Sequence, residues 1–170
     1  IPCAMKIFTA CKTCQNAKAS LHCGMCREPV CKRCAQLVPE DSFSFLKKIP
    51  EGLTHGVFCI PCFNGKVAPE LDSYNQIMQK AKDVFVYLIG QSKEYRLIKS
   101  TEEPVRVADC ADREETLLRL AFMAAQADFN TLIGVDIKFK KSSDTSYKKN
   151  TWSGTAIPAL VDTDKMNRRY

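Results

Sequence analysis

The sequence has 170 residues, enough for one medium domain or two small ones, and it carries a formal net charge of +6. Its 45% hydrophobic and 26% charged content is ordinary for a globular protein and argues against wholesale disorder. No apolar run approaches the roughly 20 residues of a membrane-spanning helix, and the start has no secretory pattern. We therefore expect a cytoplasmic protein in a reducing compartment.

Residues 1–66 contain four C-x-x-C pairs: Cys11/Cys14, Cys23/Cys26, Cys31/Cys34 and Cys59/Cys62. Two cysteines separated by two residues converge well on one metal ion, whereas disulfide scaffolds rarely repeat that single spacing. Eight thiolates supply two closed tetrahedral sites, so the sequence predicts two zinc ions per chain. Only four residues separate Cys26 from Cys31. The second and third pairs therefore either share one ion or serve two different ions.

The full spacing, C-x2-C-x8-C-x2-C-x4-C-x2-C-x24-C-x2-C, resembles the FYVE-type zinc finger over roughly residues 8–66. That family also has four residues between its second and third pairs, and Phe63 after the last pair suits it. The resemblance implies a cross-braced arrangement in which alternate pairs share an ion. The first zinc would then be bound by Cys11, Cys14, Cys31 and Cys34. The second would be bound by Cys23, Cys26, Cys59 and Cys62.

The lipid-binding motif of that family is only partly present. FYVE fingers that bind phosphoinositides have a basic double-histidine box around the third cysteine, and here only His22 of that box remains. Val57 and Phe58 stand where the family has an arginine before its seventh cysteine. Phosphoinositide binding is therefore kept only as an alternative function of the finger. A RING-type ubiquitin ligase is a further alternative function, although Lys12 stands where RING modules usually have an apolar residue.

The remaining histidines and cysteines are not predicted to be ligands. Eight cysteines already complete two sites, so His22 and His55 are expected to be loop histidines that form hydrogen bonds. Cys3 and Cys110 have no partner at metal-binding spacing, and a buried, unreactive cysteine is the expectation for each.

Bound zinc would also remove most of the apparent basicity. Residues 1–66 carry nine Lys or Arg against four Asp or Glu, so most of the net positive charge lies there. Two zinc ions add four positive charges and eight thiolates add eight negative ones, which lowers the net charge to about +2. We therefore expect no nucleic-acid partner.

After the last cysteine pair, residues 67–82 are predicted to form a linking helix with Leu71, Tyr74 and Ala81 on one face. Three strands are predicted next, over 84–90, 95–99 and 105–108.

The clearest helix is predicted over 113–128. Asp112 is its expected N-cap, with Glu115 completing a capping box. A broad apolar face predicts burial of this helix against a sheet. The face comprises Leu117, Leu118, Leu120, Ala121, Phe122, Ala124 and Ala125.

A hairpin with a long polar loop is predicted from strands over 131–140 and 151–160. In the first strand, alternation predicts a half-buried pattern with one face towards the core. Ile133, Val135, Ile137 and Phe139 are predicted to lie on the core face, and Leu132, Asp136, Lys138 and Lys140 on the other.

Residues 128–137 (DFNTLIGVDI) and 152–157 (WSGTAI), with the helix before them, resemble the YbjQ-like family of small bacterial proteins over roughly 84–160. The resemblance implies the α+β fold class, with a mostly antiparallel sheet packed on one main helix, and ring-like homo-oligomers. Gly134 and Gly154 on neighbouring strands predict a bulge or a close approach of another segment.

No Gly-rich phosphate loop and no nucleophile–base pattern is present, so no catalytic residues are predicted. The domains are expected to be a FYVE-like finger (1–66), a linking helix (67–82), a YbjQ-like domain (83–162) and a tail (163–170). The expected function is that of a non-enzymatic interaction or scaffold protein. It would bind a protein partner and form homo-oligomers through residues 83–162.

Overall fold

The computed structural model describes residues 9–90, 97–100, 103–141 and 150–163. The chain divides into two compact units, Ile1–Tyr74 and Asn75–Tyr170. Helices and mostly antiparallel strands are both present, which confirms the predicted α+β class. None of the helices in these ranges is long and apolar enough to cross a membrane. Cys3, the start of the strand predicted over 95–99, most of the hairpin loop and most of the tail lie outside the described residues.

The first unit contains two very short antiparallel ladders. β1 (Leu21–His22) pairs with β2 (Pro29–Val30), and β3 (Gln36–Leu37) pairs with β4 (Val57–Phe58). Strands of two residues contribute few hydrogen bonds, and fully buried apolar side chains are few in this part of the chain. Such a small core needs an additional source of stability, such as a disulfide or a metal.

A helical segment begins within the last cysteine pair and continues beyond it. It begins as α1 (Ile60–Cys62), with Pro61 in its first turn where a missing amide is tolerated, and continues as a π-helical turn (Phe63–Val67). It then becomes α2 (Ala68–Lys82), which confirms the helix predicted over 67–82. Tyr74 on this helix is buried, and its ring lies edge-on to Phe43 with the centroids 5.5 Å apart.

The second unit is a five-stranded sheet with one helix packed on it. The strands are β5 (Phe85–Leu88), β6 (Leu97–Ser100), β7 (Val105–Cys110), β8 (Thr131–Lys141) and β9 (Asn150–Val161). On one side β9 pairs with β8, which pairs in turn with β5 in parallel, the only parallel pairing in the described sheet. On its other side β9 pairs with β6 and β7, both antiparallel to it.

Helix α3 (Arg113–Gln126) contacts β7, β8 and β9. Its predicted N-cap is confirmed, since the Glu115 amide donates to Asp112 Oδ1 at 2.7 Å. The Glu115 carboxylate in turn accepts from the Ala111 amide at 2.7 Å. Leu120 and Phe122 of α3 are fully buried, as the broad apolar face predicts.

The predicted alternation along β8 is only partly correct. Val135 is buried as predicted, but Phe139, also expected to face the core, is 43% exposed near the end of the strand. Leu132, which precedes Gly134, was expected to face away from the core but is fully buried. The cause is a β-bulge at Gly134, which has φ +58° and shifts the register against β9 between Ile133 and Asp136. One inserted residue reverses which side chains face the core, because successive residues of a strand point to opposite faces.

The two predicted special glycines have different roles. Gly134 supplies the left-handed backbone of the bulge, and a Cβ there would meet no atom within 4 Å. Gly154 lies under α3, where a Cβ would come within 2.8 Å of the Thr116 methyl group and 3.1 Å of Leu120 Cδ1. Gly154 therefore allows the helix to approach the sheet closely.

Candidate metal centres

Each of the four C-x-x-C pairs forms the same backbone turn. The amide of the residue after the pair donates to the carbonyl oxygen of the first cysteine, at 2.9 to 3.0 Å. The four bonds run from Gln15 to Cys11, from Arg27 to Cys23, from Ala35 to Cys31 and from Phe63 to Cys59. One repeated turn places both side chains of a pair on the same side, ready to bind one ion.

Two of these turns close in an unusual conformation. Gln15 has φ +60° and Arg27 has φ +61°, the left-handed region that favours glycine. Residues with a side chain adopt it at a cost of roughly 1–2 kcal/mol, so the surrounding structure must determine these turns.

Backbone hydrogen bonds between turns and strands explain which pairs come together. The Lys12 amide in the first pair donates to the carbonyl of Pro29 at 2.9 Å, and β2 leads directly into the third pair at Cys31. The Gly24 amide in the second pair donates to the carbonyl of Val57 at 2.8 Å, and β4 leads directly into the fourth pair. First and third pairs are thus joined, as are second and fourth.

The sulfurs form two groups of four, and within each group all four lie within 4.8 Å of one another. The first cluster is Cys11, Cys14, Cys31 and Cys34, and the second cluster is Cys23, Cys26, Cys59 and Cys62. These are the two sets that the FYVE resemblance implies. Of the alternatives that spacing left open, the second and third pairs therefore serve different clusters.

The distances between sulfurs fit a metal rather than a disulfide. Cys14 Sγ lies 3.6 Å from Cys31 Sγ, and Cys26 Sγ lies 3.8 Å from Cys59 Sγ. Four sulfurs placed tetrahedrally at about 2.3 Å from a zinc ion are roughly 3.8 Å apart, whereas a disulfide bond is about 2.05 Å long. None of the eight cysteines is disulfide-bonded. Each cluster can therefore hold one metal ion in a closed site.

Backbone amides favour the thiolate form of the first cysteine in three of the pairs, including Cys31, whose pKa is lowered mainly by the Cys34 amide. The amides of Cys14 and Cys31 donate to the Cys11 sulfur and lower the pKa of this thiol to about 6. Burial raises the pKa of Cys23, but the amides of Cys59 and Cys26 outweigh it and bring the pKa to about 6. These donors act on the metal-free chain, so part of the site is ready for a cation before it binds.

The last cysteine of each cluster behaves in the opposite way when no metal is bound. The pKa of Cys34 rises to about 12 because its thiol donates to the sulfurs of Cys14 and Cys31. Burial, and then a hydrogen bond to Cys59, raises the pKa of Cys62 to about 12. Four adjacent thiols cannot all ionise without a cation that offsets their charge, so metal binding must release protons.

The other candidate residues lie outside the clusters. Neither His22 nor His55 belongs to a potential metal site among the described residues, and both line a groove with Arg27. The prediction of a loop position is wrong for His22, which lies in β1 and pairs with Pro29, whereas His55 lies in a loop. Cys110 is 1% exposed and its thiol donates to the carbonyl of Ala108 at 3.6 Å, as expected for a buried, unreactive cysteine.

Two features of the centres were not predicted from the sequence. The Lys12 ammonium lies 3.7 Å from Cys26 Sγ, so a residue of the first pair contacts the second cluster. The groove that joins His22, Arg27 and His55 is the other. The lysine inside the first pair was a visible signal, but spacing does not show which cluster it reaches.

Comparisons with protein families, with curated proteins and with solved structures find no match to this chain. The FYVE-like and YbjQ-like resemblances therefore remain hypotheses drawn from residue patterns. What the geometry defines is the kind of site: two closed four-cysteine centres in one small unit.

Proposed function

We propose that this chain is a non-enzymatic zinc-binding interaction protein whose first unit is held together by two structural zinc ions. The observation that supports this proposal most is the convergence of eight sulfurs into two groups of four. Tetrahedral thiolate sites favour zinc or iron, and zinc is the usual ion of closed structural sites. Four protein ligands leave no position for water or substrate, which supports a structural rather than a catalytic role.

The proposed role of the second unit is assembly. Residues 83–162 would join several copies of the chain, and each copy would present one zinc-bound unit to a protein partner. Several linked copies bind a partner more tightly than one copy, because later contacts form within a single complex. The residue pattern shared with YbjQ-like proteins supports this part of the proposal.

The test is metal analysis combined with light scattering on the purified chain. We expect two zinc ions per chain in an oligomer of fixed size. The control is Cys110→Ser, which removes a thiol outside both clusters and should leave the zinc content at two. Fewer than two zinc ions in the unmodified chain would contradict the zinc proposal, and a strict monomer would contradict the assembly proposal.

A second candidate function is binding of an anionic phosphoinositide headgroup. It is favoured by the groove in which His22, Arg27 and His55 lie together, because a phosphate needs several converging donors. Only Arg27 carries a permanent charge there, so the affinity would be modest.

Sedimentation with liposomes that contain or lack phosphoinositides tests this candidate. Arg27→Asn is the matched variant, since asparagine tolerates the positive φ at this position. Binding that requires the phosphoinositide and is lost in the variant supports lipid recognition. Equal binding to both kinds of vesicle contradicts it.

A further inference from the structure

Lys12 lies between two cysteines of the first cluster, but its side chain contacts the second cluster. It lies between Cys11 and Cys14 of the first cluster, yet its Nζ is 3.7 Å from the sulfur of Cys26 in the second. The backbone at Lys12 is held in position, because the Lys12 amide donates a hydrogen bond to the carbonyl of Pro29 at 2.9 Å. The side chain is on the surface and needs no rearrangement to reach the sulfur.

Lys12 is exposed, and an exposed lysine is positively charged at neutral pH. A charge-assisted hydrogen bond from an ammonium to a thiolate is stronger than one between neutral groups.

The two clusters differ in whether a lysine contacts one of their sulfurs. Lys32 occupies the corresponding position in the third pair and is also exposed. Within the described ranges, no hydrogen bond joins a lysine to a sulfur of the first cluster, and the only such contact is from Lys12 to Cys26. Cys14 of the first cluster is exposed, whereas all four cysteines of the second are buried or half-buried.

We propose that the Lys12 ammonium donates a hydrogen bond to the Cys26 sulfur of the second metal centre and thereby protects this centre from electrophiles and oxidants. The inference rests on the proposed zinc binding. A zinc ion with four thiolates carries a net charge of −2, and that charge makes the sulfurs nucleophilic. An ammonium at hydrogen-bond distance from Cys26 withdraws electron density from this sulfur and offsets part of the charge.

An order of reactivity follows from this arrangement. The first centre, with an exposed cysteine and no lysine contact, reacts first and loses its metal first. Lys12 lies in the turn between Cys11 and Cys14, whose sulfurs would bind the first metal. We expect loss of the first metal to loosen this turn, and with it the contact of Lys12 with the second centre.

The test is alkylation of the zinc-loaded full chain with N-ethylmaleimide, in which mass spectrometry follows each cysteine separately. In Lys12→Met we expect Cys26 to react about tenfold faster, which is at the low end of the effects of removing a group hydrogen-bonded to a metal ligand. Cys14 should keep its rate. Lys12→Arg retains a cation and should stay close to the unmodified chain. Lys12→Gln is measured as a second uncharged variant, so that the result does not depend on the folding of Lys12→Met alone.

The matched control is Lys32→Met, which removes the same charge from the corresponding position of the third pair. An unchanged rate at Cys26 in both uncharged Lys12 variants would overturn the proposal, as would an equal acceleration in Lys32→Met. The zinc content of the unmodified chain separates the two levels of inference. Fewer than two zinc ions overturns the proposed function and this inference together, whereas two zinc ions with an unchanged rate at Cys26 overturns only the role of Lys12.

Discussion

Gln15 closes the first cysteine turn with φ +60°, a conformation that is easier for glycine than for glutamine. We expect Gln15→Gly to raise the free energy of unfolding of the zinc-loaded chain by about 0.5–1 kcal/mol, because the relief of strain exceeds the added freedom of the unfolded chain. Chemical denaturation followed by circular dichroism measures this.

Ala35 provides the matched control, since it closes the third turn without a positive φ. Ala35→Gly should lower stability, because only the unfolded chain gains freedom there. Equal effects of the two substitutions would show that backbone strain at Gln15 is not significant.

Single residues in this sequence reveal which cysteines are metal ligands, but they do not show which cysteines share an ion or which cluster Lys12 contacts. The C-x-x-C pairs identify the ligands, because this spacing suits one ion and little else. The sharing of ions depends on the bonds from Lys12 to Pro29 and from Gly24 to Val57, which join segments far apart in the chain. Spacing alone left that arrangement open, and only the FYVE resemblance implied it.

At the scale of single elements, the first turn of α3 predicts a dependence of stability on pH. The Ala111 amide lowers the pKa of Glu115, and Arg119 at 2.8 Å lowers it further. A carboxyl with a lower pKa in the folded state stabilises the fold above its unfolded pKa of about 4.3, and this stabilisation is lost as the pH falls through the folded value. We expect Glu115→Gln to lower the stability of the second unit at pH 7 and to reduce its loss on acidification.

Trp152 is the only tryptophan and lies in β9, so its fluorescence follows unfolding of the second unit. The matched control is Glu114→Gln, in the same helical turn but exposed. If both variants show the same dependence on pH as the unmodified chain, the hydrogen bonds of Glu115 do not contribute measurably.

The close packing of α3 on β9 predicts a cost for any side chain at Gly154. In Gly154→Ala the new methyl group would meet the Thr116 methyl and Leu120, so we expect a loss of about 1–3 kcal/mol. Denaturation followed by Trp152 fluorescence measures the change. A stability equal to that of the unmodified chain would mean that the helix moves away at no cost.

Elements with a regular period were predicted well, and those with an irregularity were not. The helix from Arg113 was predicted because a long apolar face and an N-cap agree. The alternation in β8 was only partly correct because a bulge at Gly134 changes the register, and a single glycine does not show on which side of it the shift occurs. The parallel pairing of β5 with β8 was also missed, since it depends on a partner more than 40 residues away.

At the scale of the whole molecule, the division into two compact units predicts that they lose structure separately. Cys31→Ser removes a ligand of the first centre, and we expect it to unfold the first unit while the second stays folded. The expected observation is a loss of bound zinc with an unchanged Trp152 unfolding midpoint. A large decrease of that midpoint would show that the second unit depends on the first.

The central claim is that two metal ions hold the first unit together, and hydrogen exchange before and after exhaustive chelation tests it most directly. We expect chelation to remove amide protection from β1 to β4 and from the cysteine turns, while α3, β8 and β9 keep theirs. Unchanged protection of the first unit after all metal has been removed would contradict the claim. So would a natively purified chain whose eight cysteines are joined to one another as disulfides.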